Sequence, residues 1–136
     1  MRKIHHFVGG QNQIGTSGRV HNVFDPSSGL VQAEVDLASL DEVNEVVTVA
    51  QEAALLWKES SLTQRTQIMF TFREILSARA NELAKIVSKE HGKVISDAFG
   101  EVSRGIENVE FACGIGQHLK GEINEQVSAG IEVYSL

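Results

Sequence analysis

Val31-Gln32-Ala33-Glu34-Val35-Asp36-Leu37-Ala38-Ser39-Leu40-Asp41-Glu42 is the stretch in which the hydrophobic period of this chain changes from two to 3.6. Up to Leu37 the apolar residues Val31, Ala33, Val35 and Leu37 alternate with Gln32, Glu34 and Asp36. That is the pattern of a strand with one wet face. At Ser39 the alternation stops. Ser39-Leu40-Asp41-Glu42 matches a capping box, in which the Ser and Glu side chains satisfy orphan backbone donors reciprocally. Val43, Val46, Val47, Ala50, Ala53, Ala54 and Trp57 then recur at helical spacing. A strand that hands over to a capped amphipathic helix makes this an α/β chain.

Upstream of the junction the first 37 residues read as strand and turn. Asp25-Pro26-Ser27-Ser28-Gly29 is turn chemistry, with Pro presetting φ and Gly free to take a positive φ. It separates Val20-His21-Asn22-Val23-Phe24 from the alternating run, so an antiparallel strand pair is expected. Downstream, Ser61-Leu62-Thr63-Gln64 repeats the capping pattern and opens a second helix with the stripe Ile68, Phe72, Ile75 and Leu76. A third segment, near Asn81 to Glu90, carries Leu83, Ile86 and Val87 and continues the second across a bend. Gly92 suits a helix terminator. The longest pattern, Ile95, Ala98, Val102, Ile106, Val109 and Cys113, steps by threes and fours along one face. Gly114 and Gly116 loosen that helix. Ile131 to Leu136 alternates again as a strand without a recognisable hairpin mate, and the ending reads as cut rather than finished.

Composition bounds what such a chain can be. Of 136 residues, 42% are hydrophobic, enough apolar surface to exclude disorder over the whole length. A self-contained domain of this size would bury roughly two thirds of its unfolded surface. No apolar run is long enough to span a membrane. The net charge of −6, from 12 Lys and Arg against 18 Asp and Glu, argues against nucleic acid, which needs clustered cations. A single cysteine, no Asn-x-Ser/Thr acceptor and no leader segment fit the cytoplasm.

Few residues carry chemistry. Gly10-Gln11-Asn12-Gln13-Ile14-Gly15-Thr16-Ser17 has the glycine spacing of a phosphate loop, but Thr16 stands where Lys belongs and no helix follows. A hairpin connection accounts for it better. Gly114-Ile115-Gly116-Gln117-His118-Leu119 begins like a dinucleotide fingerprint, yet it ends a helix and has Leu at the third Gly. Cys113 lies on the apolar stripe, where a thiol acts as a small hydrophobe. His5, His6, His21, His91 and His118 show no metal-ligand spacing, so neither a metal site nor a catalytic residue is assigned. Arg104 stands off the stripe of the long helix, on a face with Glu101, Asn108 and Phe111. Two readings stay open: a solvated face with Glu101 and Glu107 as partners three residues away, or a guanidinium kept for an anionic ligand.

Phe7-Val8-Gly9-Gly10, Val23 to Gly29, Ala33-Glu34-Val35, Ala50, Ala54, Trp57, Gln64-Arg65 and Glu90-His91-Gly92-Lys93 together resemble the beginning of aldehyde dehydrogenases. The run Gly100 to Gly114 is similar to the CoA-acylating methylmalonate-semialdehyde dehydrogenases. The resemblance covers essentially the whole chain. It implies an N-terminal fragment of that fold: an antiparallel strand pair, three or four helices and a terminal oligomerisation strand. Residues 1–120 would belong to the NAD-binding domain and 121–136 to the start of the oligomerisation arm.

The implied parent reaction is NAD-dependent oxidation of a semialdehyde through a cysteine thioester. Acyl transfer to coenzyme A with loss of carbon dioxide follows, as in valine catabolism. The family's nucleophile and cofactor loop match no position here, so no cofactor-binding residue is assigned and the segment alone is expected to be inactive. Cys113 corresponds to a small residue of the long helix. The resemblance implies one site residue, Arg104, suited to a substrate carboxylate, with Val102, Ser103, Asn108 and Phe111 as neighbours. It also implies homo-oligomer partners through the closing strand, Tyr134 included, and a small semialdehyde as substrate. The alternative is a non-catalytic helical interaction module that pairs through its C-terminal strand.

Overall fold

The computed structural model describes residues 1–135; Leu136, the last residue of the expected closing strand, lies outside the described residues. The chain opens with β1 (Arg2–Ile4), β2 (His6–Val8) and β3 (Gln11–Gln13). β2 and β3 form an antiparallel hairpin closed by Gly9 and Gly10. Their φ values of 57° and 79° are the left-handed pair that a tight two-residue turn demands. The glycine-spaced stretch is therefore hairpin, as the missing Lys and helix argued.

β4 (Val20–Phe24) and β5 (Val31–Asp36) pair antiparallel, as the alternation predicts. Their connection is an Asx turn: the Ser27 amide donates to Asp25 Oδ1 at 2.8 Å and the Gly29 amide to the Asp25 carbonyl at 2.8 Å. The pair gains a third strand that the sequence pattern does not announce. β1 runs parallel along the other side of β5, giving the order β1-β5-β4. Three residues, Arg2-Lys3-Ile4, are too few to show a period, and a parallel partner 31 residues away leaves no local signal.

Four helices follow, the first two starting where the capping boxes foretell: α1 (Leu40–Glu59), α2 (Leu62–Ala78), α3 (Ala80–His91) and α4 (Ile95–Cys113). Both capping boxes form, Ser39 with Glu42 and Ser61 with Gln64. α3 continues α2 past a break at Arg79, the expected bend. Gly92 ends α3 in the left-handed conformation, φ 77° and ψ 9°, with its open side against Pro26. α4 packs across α2 and α3, burying Ala84 of α3 and Ala98 of its own completely. A four-residue turn of helix, α5 (Ile115–His118), leads to β6 (Glu122–Ser128) and β7 (Ile131–Ser135).

Two expectations need correction. The closing strand has a mate: β7 pairs antiparallel with β6 through a turn at Gly130, φ 76°. β6 escaped recognition because its two apolar residues, Ile123 and Val127, are four apart among Glu, Gln and Ser. An irregularity interrupts its pairing, and within it Gln126 takes a φ of 55°. The second correction concerns the core. Among the described residues the buried apolar set is Ala33, Ala80, Ala84, Ala98 and Cys113, and no large side chain is fully enclosed. α1 contributes no buried residue. Its predicted stripe is real but uncovered, with Val43 47%, Val47 50% and Trp57 45% exposed. Together with Ile68, Phe72 and Ile75 of α2 the end of that stripe lines an open apolar groove of about 810 Å³.

Candidate functional site

α4 carries the residues singled out by sequence, and its neighbours decide which of them face outward. The stripe of Ala98, Val102, Ile106, Val109 and Cys113 turns toward α2 and α3, and Cys113 is 8% exposed beneath Phe70 and Arg73. A thiol in that position fills space, as the stripe indicates. Val102 and Ser103 are half-buried, and Ser103 Oγ donates to the Phe99 carbonyl at 3.0 Å. They stand at the edge of the packed face. Arg104, Asn108 and Phe111 lie exposed.

The Arg104 side chain leans back along the helix toward Gly100, as helical rotamers direct. One of its terminal nitrogens would lie 3.9 Å from a Cβ built on Gly100. Asn108 Nδ2 donates to the Arg104 carbonyl at 2.8 Å, tying the next turn to this one. Phe111 stacks on His118 of α5, centroids 4.7 Å apart, and closes the far end of the same exposed face. Among the described residues no carboxylate comes within 4.0 Å of the Arg104 guanidinium. The helical partners expected of a solvated face therefore do not engage it. Glu101 instead bonds Lys93, which arrives from the connection between α3 and α4. That hydrogen bond is the main cause holding the Glu101 carboxyl below its usual range, with the charges of Lys93, His91 and Arg104 adding to it.

A second cluster, absent from the sequence reading, sits at the start of α1. Asp36 Oδ2 accepts from His5 Nδ1 and from the Gly15 amide, both at 2.8 Å. The hydrogen bond from His5, then that from Gly15, lowers the Asp36 carboxyl. Glu42 accepts from the Ser39 amide at 2.7 Å and from the Thr16 amide at 2.6 Å, and is lowered to about 2. Two successive amides of the loop after β3 are thus each held by a different carboxylate. These bonds fasten the β2–β3 hairpin to the sheet and to α1. Among the described residues no three His, Cys, Asp or Glu side chains converge as metal ligands would, and no helix is long and apolar enough to cross a membrane.

Neither glycine-rich stretch forms a dinucleotide cradle. Gly10 to Gly15 spans a hairpin strand, and Gly114 to His118 ends one helix in a single further turn, so neither sets a helix N-terminus against a phosphate. A mixed sheet, a run of helices and a terminal hairpin, with an exposed guanidinium on the last long helix, define an α/β chain. The aldehyde dehydrogenase family model matches residues 14–135. The chain belongs to that family.

Its relatives narrow the comparison. A malonate-semialdehyde dehydrogenase of Pseudomonas aeruginosa is 35% identical over 99% of this chain, which spans 27% of that protein. Methylmalonate-semialdehyde dehydrogenase from Oceanimonas doudoroffii superposes with a TM-score of 0.90 at 40% identity over 98% of this chain and 27% of its own. A protein of Sinorhizobium meliloti, provisionally assigned the same activity and solved with NAD, gives the same score, identity and coverage. The chain thus spans about 27% of the length of these relatives.

Proposed function

We propose that this chain is the N-terminal region of a malonate- or methylmalonate-semialdehyde dehydrogenase. That enzyme oxidises the semialdehyde with NAD and transfers the acyl group to coenzyme A with decarboxylation. The observation that carries this reading is 40% identity at a TM-score of 0.90 across 98% of the chain to proteins so described. Residues 1–120 belong to the NAD-binding domain and 121–136 begin the arm that joins subunits of a homo-oligomer. The break between α5 and β6 at Lys120-Gly121 supports that division. No residue of this chain is assigned to NAD or to coenzyme A.

What this segment contributes is recognition. Arg104 binds the substrate carboxylate. A guanidinium fork matches a carboxylate in two parallel hydrogen bonds, and among the described residues no carboxylate engages this one. The segment alone is inactive, since its one thiol is buried and nucleophilic catalysis needs an accessible thiolate. In the complete dehydrogenase, Arg104→Ala lowers kcat/KM for a carboxylated aldehyde by about 10- to 100-fold, the range for losing a charge-assisted pair. Loss for an uncharged aldehyde of similar size is far smaller. Equal losses on both return Arg104 to a surface role. The same assay on the isolated 136-residue chain yields no NADH.

A further inference from the structure

Arg104 has a carboxylate three residues away on either side, Glu101 and Glu107, and that spacing brings side chains together on a helix. An arginine so placed would ordinarily be neutralised by its own helix. Here Glu101 is occupied elsewhere. Its Oε1 bonds Lys93 Nζ, and Lys93 is held for the task. Gly92 turns the chain with a left-handed φ of 77°, and Ser88 Oγ donates to the Lys93 carbonyl at 2.7 Å. The Lys93 side chain is 21% exposed, more enclosed than the Glu101 side chain it grips at 42%. Arg104 lies over the bare Gly100. Glu101 still senses the charge of Arg104.

We infer that Lys93 is a positioning residue for the Arg104 site. By engaging Glu101 it removes the carboxylate that would neutralise the guanidinium, and so leaves Arg104 open to the carboxylate of a small anionic aldehyde. This rests on reading Arg104 as the substrate-carboxylate group. Lys93 touches neither substrate nor cofactor; it sets selectivity by controlling which anion Arg104 meets. Without it, Glu101 turns to Arg104 and competes with substrate at high effective concentration.

The test is the ratio of kcat/KM for a carboxylated aldehyde to that for an uncharged one, measured in the complete dehydrogenase. A ratio is independent of how much of each variant folds. Lys93→Met lowers it by about fivefold, the scale of one exposed charge pair. Lys93→Arg, which keeps the cation, restores it. Lys93→Met combined with Glu101→Gln also restores it, because the released side chain no longer carries a charge. A purely structural ion pair predicts a ratio that Lys93→Met leaves unchanged, or a double variant whose ratio is as low as that of Lys93→Met. Either result overturns the inference. Arg104→Ala is run beside these. If it is selective while Lys93→Met is not, Lys93 loses its role and the site stands. If Arg104→Ala is itself unselective, the site and the inference fall together.

Discussion

Glu42 does three things with one carboxylate: it completes the capping box with Ser39, accepts from the Thr16 amide of the preceding loop, and places negative charge at the positive end of α1. Its carboxyl is lowered from 4.5 to about 2, first by the Ser39 amide and then by the Thr16 amide. A group depressed in the folded state stabilises fully above its unfolded value and loses that contribution as protons bind. For Glu42 the loss therefore runs from 4.5 down through about 2. Asp36, lowered chiefly by the His5 hydrogen bond, titrates with the same sign from 3.8 downward. The melting temperature of the wild-type chain should fall as pH drops across that acid range, and Glu42→Gln should flatten part of the fall while starting lower at neutral pH. Parallel curves for the two proteins would remove Glu42 as a source of acid sensitivity. None of this was legible beforehand beyond the capping box itself, because Thr16, Gly15 and His5 reach these carboxylates across 21 to 31 residues of sequence. Lys93 and Glu101 escaped for a similar reason. Arg104 could be placed on its face by counting 3.6 residues per turn, but a lysine outside the helix has no phase in that count.

The elements divide by how local their causes are. The starts of α1 and α2 were readable because a cap is a four-residue event, and the bend at Arg79 and the stop at Gly92 are local too. β1 and β6 were missed because their stability comes from partners, a parallel one for β1 and an irregular antiparallel one for β6. This distinction also sets how a lost cap should report. Ser39 and Ser61 make equivalent boxes, each worth about 1 kcal/mol when removed to Ala. α2 packs on α4, so Ser61→Ala should lower the melting temperature of the whole molecule. α1 buries nothing, so Ser39→Ala should instead appear as faster amide exchange over the first turns of α1, with a smaller change in melting temperature. Equal shifts in melting temperature for the two variants would mean that α1 is part of one cooperative unit despite its open face.

At the scale of the molecule, surface area decides what kind of object this is. The chain exposes 10319 Å². A compact monomer of 14.8 kDa exposes about 7,000 Å² by the usual scaling. The excess is of the order of a large permanent interface, for which 2,000 to 5,000 Å² is roughly typical. Much of it is apolar: Val43, Val46, Val47, Leu55, Leu56 and Trp57 along α1, and Ile123, Val127, Ile131, Val133 and Tyr134 on the closing hairpin. Contiguous apolar patches above a few hundred Å² are rare on free monomers. The family relationship and the area agree, since relatives nearly four times as long have the polypeptide to cover such faces. The isolated chain should therefore bind a hydrophobic dye strongly and elute as associated species whose size rises with concentration. Replacing Val43, Val47 and Leu56 with Gln should reduce both without loss of helix content, because none of the three is buried. A sharp monomer with no dye binding and full amide protection in α1 would mean that the apolar stripe is covered within the chain, and the surface argument for its being one part of a larger subunit would fail.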